Sequence, residues 1–97
     1  MTECYNRKGE PILDILAWSK LFEDRNYQNV RKDILSNGRL ISTVWLGLNH
    51  NYGDGPPLIF ETMVFLKKTK NELDCQRYST EKEAIKGHEA MVKKWSK

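Results

Sequence analysis

The stretch VRKDILSNGRLISTVWLGL, residues 30–48, decides the fold of this chain. It contains two runs rich in aliphatic and β-branched residues, 30–35 and 39–48, separated by the dipeptide Asn37-Gly38. Asn-Gly between two such runs is the strongest short signal for a β-hairpin, because both central positions of the tight turn need positive φ. The stretch therefore predicts two antiparallel strands.

Two further strands are expected after this hairpin, at residues 58–66 and 72–78. The first is apolar on both alternating faces, which favours a central position in the sheet. The second is more polar and follows the lysine-rich turn 67–71, as suits an edge strand. The pattern therefore predicts an antiparallel sheet of about four strands.

Helices are expected on both sides of these strands in the sequence. Residues 13–24 place Ile15, Trp18 and Phe22 on one stripe, after a short extended piece and turn at residues 5–11. Residues 80–95 begin with Thr80-x-x-Glu83, the signature of a capping box. The predicted fold class is α+β, in the order βαββββα.

The C-terminal helix is amphipathic and is expected to cover the sheet. Its inward stripe contains one histidine among apolar side chains. The stripe and its neighbours are Ile85, His88, Val92 and Trp95, with Ala84 and Met91 alongside.

Length and composition indicate a single domain, residues 1–97, because 97 residues with 39% hydrophobic content can build one core. The N-terminus shows no secretory signal, so Cys4 and Cys75 are expected as reduced thiols in a cytoplasmic protein. The longest nearly apolar stretch, 44–48, is too short to span a bilayer. No membrane partner is expected.

The charge balance is 16 basic against 13 acidic residues, or +3. Basic clusters occur at 67–70 and among the last five residues, and each has a structural interpretation, as a turn and as the cationic end of a helix. A nucleic-acid-binding or regulatory domain that uses these lysines stays open as an alternative function.

Two polar residues lie in apolar surroundings. His88 is interpreted either as a core histidine bonded to the sheet or as a ligand-binding group. Glu61 interrupts the apolar strand IFETMVF and must be paired, protonated or at a groove opening, with Arg77, Arg39 or His88 as candidate partners. A Glu61-His88 acid/base pair would make a small nucleotide-directed hydrolase a further alternative.

The connection 49–57 is longer than a hairpin needs and concentrates polar groups and glycines. His50, Asn51, Tyr52 and Asp54 are candidate binding residues, although an ordinary wide connection also uses such side chains to hold its own backbone. No Gly-Lys-Ser/Thr follows, so this is no P-loop.

A metal or cofactor is not expected. Cys4, Cys75, His50 and His88 add up to four possible zinc ligands, but none of the characteristic short spacings is present. The three tryptophans lie on apolar stripes and are expected in the core.

Several segments resemble a family of small uncharacterised proteins encoded by tailed bacteriophages and prophages. The similarity covers nearly the whole chain and implies a phage or prophage origin and a setting in the cytoplasm of the bacterial host, but no activity. The segments are 5–11, 18–24, STVWLGL at 42–48, GPPLIFETMVF at 55–65, RYST at 77–80 and GHE at 87–89.

The leading hypothesis is a non-catalytic phage accessory protein that binds a host factor, either a protein or a small polar or nucleotide ligand, with antagonism of host defence as one role. A two-sided apolar sheet with only two helices also makes a homodimer a candidate assembly. The expected binding residues are His50, Asn51, Tyr52, Asp54, Glu61, Arg77 and His88.

Overall fold

A computed structural model describes residues 4–51 and 53–96. Four strands form one antiparallel sheet in the order β1-β2-β3-β4, so every neighbour in the sheet is also a neighbour in the chain. The predicted α+β class and four-stranded antiparallel sheet are confirmed. The elements are α1 (Ile15–Glu23), α2 (Arg25–Gln28), β1 (Asn29–Ile34), β2 (Arg39–Trp45), β3 (Phe60–Leu66), β4 (Glu72–Tyr78) and α3 (Glu81–Trp95).

The hairpin between β1 and β2 is present, but its turn differs from the predicted one. Gly38 has φ of 84°, whereas Asn37 does not have positive φ. The amide of Gly38 donates to the carbonyl of Leu35, and the amide of Leu35 donates to the carbonyl of Arg39. This is a three-residue loop closed by a glycine in the left-handed region, a common alternative to the two-residue turn.

The N-terminal region is less regular than expected. The predicted helix 13–24 ends at Glu23, because Asp24 caps a separate one-turn helix, α2. The predicted strand near residues 5–11 is replaced by two isolated bridges, Tyr5 to Pro11 and Cys4 to Leu48. These bridges extend the sheet irregularly at the end where β2 finishes.

Helix α3 covers one face of the sheet. Its capping box is formed, with the Thr80 hydroxyl accepting from the Glu83 amide at 3.1 Å and the Glu83 carboxylate accepting from the Thr80 amide at 3.1 Å. The buried side chains of the helix are Ala84, His88 and Met91, whereas Ile85 and Val92 are only half-buried. The inward stripe is therefore rotated slightly from the predicted one.

The sheet is buried on the face under α3. Alternate residues of β2 and β3 are paired there and fully enclosed. Trp45 anchors the core at one end, where the half-buried Trp18, Leu21 and Tyr27 pack against it. The enclosed pairs are Ile41 with Val64, Thr43 with Thr62, and Trp45 with Phe60.

The opposite face of the sheet has less cover. Among the described residues α3 contacts all four strands, whereas α2 contacts β1 and β2 alone. This uncovered face has an apolar centre with charged residues at its edges, and its covering by a second copy of the chain stays a prediction. The register aligns Ile34, Leu40, Phe65 and Glu72 in one row, Lys32, Ser42, Met63 and Cys75 in the next, and Asn29, Val44, Glu61 and Arg77 in the third.

Candidate functional site

The loop 49–57 is held mainly by its own asparagine side chains. The side-chain oxygen Oδ1 of Asn49 accepts from the backbone amides of Asn51 at 2.8 Å and Leu58 at 3.1 Å. The Asn51 side chain accepts from the Gly53 amide at 2.9 Å and donates to the Pro56 carbonyl at 2.9 Å. Asn51, predicted to bind a ligand, therefore has a structural task that occupies both ends of its amide group.

The remaining polar side chains of the loop are available to a partner. His50 is half-buried and Asp54 is exposed, and neither side chain hydrogen-bonds to a described residue. The His50 backbone amide donates to the Leu58 carbonyl at 2.9 Å, so the base of the loop is firmly placed. Tyr52, also predicted as a binding residue, lies outside the described residues.

Glu61 and Arg77 form an ion pair on the uncovered face of the sheet. The Arg77 Nε donates to Glu61 Oε2 at 2.9 Å, and the two residues are direct cross-strand partners. The Glu61 side chain is 12% exposed and that of Arg77 is 42% exposed. A carboxylate so enclosed needs such a partner. Of the three partners considered for Glu61, Arg77 is the one with which it pairs.

Cys75 lies beside this ion pair, with its Sγ 3.5 Å from Glu61 Oε2. Burial and the negative charge of Glu61 raise the pKa of the Cys75 thiol from 9.0 to about 11. An increase of two units in the thiol pKa reduces the thiolate fraction at pH 8 about a hundredfold, and the thiolate is the reactive form. The thiol is therefore held in its inert state.

Cys75 is expected to react with Ellman's reagent far more slowly in the folded protein than in urea, measured at pH 8 in a Cys4→Ser background. Replacing Glu61 by Gln removes the negative charge while Arg77 still lowers the pKa, so the folded-state rate should rise severalfold. Equal rates for the folded and unfolded wild-type thiol would contradict this expectation, and an unchanged rate in Glu61→Gln would remove the carboxylate as a cause.

His88 lies in the core, where both ring nitrogens have partners. Its Nε2 is 2.7 Å from Asp33 Oδ2, and its Nδ1 is 2.7 Å from Thr43 Oγ1. Thr43 Oγ1 is in turn 2.5 Å from Thr62 Oγ1. Three strands and α3 are thus joined by one chain of polar side chains, Asp33–His88–Thr43–Thr62.

The directions of these hydrogen bonds follow from chemistry. An ionised carboxylate only accepts, so Nε2 of His88 donates to Asp33. In a neutral imidazole Nδ1 then accepts from the Thr43 hydroxyl, which leaves Thr43 free to accept from Thr62. The Tyr78 hydroxyl lies next to Thr62 and packs against Gly87, where a Cβ atom would overlap the phenol. Gly87 therefore makes room for Tyr78 beside the chain.

Sequence reasoning missed Asp33, Thr43 and Thr62 as partners of His88. A signal was present, because each threonine is the polar member of an otherwise apolar alternating set. Those sets are Ile41-Thr43-Trp45 and Phe60-Thr62-Val64. Two inward hydroxyls at paired positions indicate a polar partner from the covering helix.

Glu61 and His88 do not meet. Thr62 bonds to Thr43 under α3, and Glu61, its neighbour in β3, points to the opposite face of the sheet. His88 is fully buried and reaches neither the loop nor the uncovered face. The geometry that a Glu-His hydrolase requires is therefore not formed, and His88 acts as a core histidine.

An exposed apolar patch lies at the start of α1 and was not predicted. Leu13, Ile15 and Leu16 are 87%, 60% and 70% exposed, which is unusual for three large aliphatic side chains within four residues. The neighbouring Ile12 amide donates to the Cys4 carbonyl at 2.8 Å, and Cys4 is bridged to Leu48, itself 38% exposed. We call this patch, together with the loop 49–57, the loop-end surface.

The signal for this patch was also present. The half-buried stripe of α1 carries Trp18 and Leu21, so Leu16 falls outside it. The stripe predicted from Ile15, Trp18 and Phe22 was wrong for Ile15, which is 60% exposed, and Leu13 precedes the helix. Nothing in the described residues covers them.

Comparison with protein-family models, curated proteins and solved structures found no match to this chain. The resemblance to phage-encoded proteins therefore stays a prediction. Among the described residues, no three His, Cys, Asp or Glu side chains are grouped as metal ligands. No helix within 4–51 or 53–96 is long and apolar enough to cross a membrane.

Proposed function

We propose that this chain is a non-catalytic accessory protein, of the phage or prophage origin that the resemblance implies, and that it binds a host protein through the loop-end surface. The observation that carries the proposal is the exposure of Leu13, Ile15 and Leu16, in the segment that Ile12 and Cys4 link to Leu48 at the start of the loop. Burying each of these side chains against a partner is favourable by about 1.5–3 kcal/mol.

A protein suits this surface better than a small polar ligand. The centre of a protein interface is apolar and its rim is polar. The aliphatic patch would supply such a centre, and the polar loop 49–57, which begins next to Leu48, would supply part of a rim. A small polar ligand would need several convergent donors, but the side chain of Asn51 is engaged within the loop. The arrangement therefore favours a protein partner.

Binding alone is sufficient for the role proposed. A protein that covers the working surface of a host defence protein inhibits it stoichiometrically and needs no reacting group. His88, the side chain best suited to acid/base chemistry, is enclosed between α3 and the sheet, and both of its ring nitrogens are hydrogen-bonded. We therefore assign the binding role to the surface and a structural role to the histidine.

Capture of a partner should depend on the apolar patch. We expect the immobilised wild type to retain one protein from bacterial host lysate, identified by mass spectrometry, and Leu16→Glu to weaken binding of the purified partner at least tenfold by calorimetry. His50→Ala, at the rim, should weaken it less. The matched control is Ile34→Glu, because Ile34 is 55% exposed on the uncovered sheet face, away from the loop.

Retention of the partner by wild type and Ile34→Glu but not by Leu16→Glu would support the proposal. Equal retention by all variants, or loss in Ile34→Glu alone, would move the binding site away from the loop-end surface. Retention of no protein at all would overturn the proposed function.

A further inference from the structure

Three chain segments meet at the end of the sheet opposite the loop 49–57. The Lys67 amide donates to the Gly38 carbonyl at 2.9 Å, which joins the β3–β4 turn to the β1–β2 turn. The side chains of Asn37 and Arg39 each donate to the Trp95 carbonyl at 2.8 Å, which joins the β1–β2 turn to the end of α3. We call residues 36–39, 67–71 and 93–96 the basic end.

The basic end concentrates the positive charge of the chain. It holds six of the 16 basic side chains and none of the 13 acidic ones. Acidic residues border it on two sides. Glu72 and Asp74 lie on β4, with Asp74 paired to Lys94 at 2.8 Å, and Asp33 and Glu89 line a pocket together with Lys93. The basic side chains are Arg39, Lys67, Lys68, Lys70, Lys93 and Lys94.

The structural interpretations of these lysines do not account for all of them. The last carbonyl of α3 is satisfied by Asn37 and Arg39, so the helix terminus does not require the lysines. Within the described residues, four of the lysines form no ion pair and are exposed to solvent. These four are Lys67, Lys68, Lys70 and Lys93.

We propose that the basic end binds the phosphate backbone of a nucleic acid. Four unpaired ammonium groups on short turns and a helix end suit phosphates, which they contact as point charges without reading sequence. Arg39 Cζ and Lys94 Nζ lie 5.2 and 5.5 Å from the centroid of the Trp95 ring. These cations already cover the ring, so it does not offer a free surface for base stacking. Binding is therefore independent of sequence.

Other anionic partners suit this end less well. A protein interface has an apolar centre, and a membrane-binding surface inserts apolar side chains. The basic end exposes no large apolar side chain in its described residues, since Trp95 is half-buried. Strand β2 runs from Arg39 at the basic end towards the loop-end surface. The two proposed binding surfaces therefore lie at opposite ends of the sheet and can be occupied at the same time.

Fluorescence anisotropy with a labelled mixed-sequence duplex of 20 base pairs, a length we choose as roughly two helical turns, tests the proposal. With about four phosphate contacts, raising the salt fourfold from about 50 to 200 mM should weaken binding about a hundredfold. The Lys67→Glu/Lys68→Glu variant should reduce the slope of log K against log salt by about 2. The control Lys20→Glu/Lys82→Glu has the same change of charge on exposed lysines elsewhere and should bind within about threefold of wild type.

Each other outcome counts against the assignment. Absence of duplex binding at low salt, or equal weakening by the control variant, would overturn it. So would binding of the wild type to vesicles containing phosphatidylserine without binding to the duplex. Leu16→Glu should bind the duplex as wild type does, so failure of the partner-binding proposal is separable from failure of this one.

Discussion

Replacement of Gly47 by alanine is expected to lower the free energy of unfolding by about 2–5 kcal/mol, the sum of backbone strain and overpacking. Gly47 is buried with φ of 77°, a conformation that L side chains rarely adopt. A Cβ atom there would overlap Trp18 Nε1 and would lie 2.6 and 2.9 Å from ring atoms of Trp45. Both indoles belong to the core at the loop end, so neither can move without disturbing its packing.

The matched control is Gly38→Ala. Gly38 has φ of 84°, nearly the same as Gly47, but a Cβ atom there would meet nothing within 4 Å. It should therefore lose only the backbone part, about 1–2 kcal/mol. Urea denaturation followed by tryptophan fluorescence measures both, and equal losses in the two variants would show that the indoles yield to the methyl group.

The parts of the fold that were predictable from sequence are those encoded locally. The hairpin around Asn37-Gly38 and the capping box of Thr80 and Glu83 each depend on residues within a few positions of one another. The exact turn was not predictable, because two-residue and three-residue loops share the same dipeptide and differ only in which carbonyl closes them. The break of the first helix was also not predicted. Asp24 is a residue type that often caps a helix, but the apolar stripe of the preceding residues favoured one continuous helix.

The candidate site was less predictable, because it depends on which sheet face α3 covers. Strand alternation places Glu61 and Thr62 on opposite faces, but both faces of β3 are apolar enough to be the covered one. Once α3 lies over Thr62, His88 bonds to Thr43 and Glu61 is left with Arg77. The basic end depends in the same way on the distant contact between Trp95 and the first hairpin.

Replacement of His88 by alanine is expected to lower the free energy of unfolding by about 3–4 kcal/mol. The imidazole is fully buried, so its removal leaves a cavity, and Thr43 loses its 2.7 Å partner within the core. Asp33 is partly exposed and can be solvated, so the buried end of the chain carries most of the loss. For a chain of this size the midpoint of thermal unfolding should fall by roughly 12–30 °C.

His50→Ala is the control. It makes the same change of side chain at a half-buried loop position without a described side-chain hydrogen bond, and its stability should stay within about 0.5–1 kcal/mol of wild type.

The hydrogen bond between His88 and Thr43 is isolated by a double-mutant cycle that includes Thr43→Val. That variant leaves the buried Nδ1 and the Thr62 hydroxyl without this partner and should lose about 1–3 kcal/mol. The other single variant is His88→Leu, and the double variant removes both polar groups together. The loss at Thr62 is common to Thr43→Val and the double variant, so it cancels in the cycle. The double variant should therefore be more stable than the sum of the two single losses implies. Additive losses would mean that the 2.7 Å contact contributes nothing to stability, and that shape alone fixes α3 on the sheet.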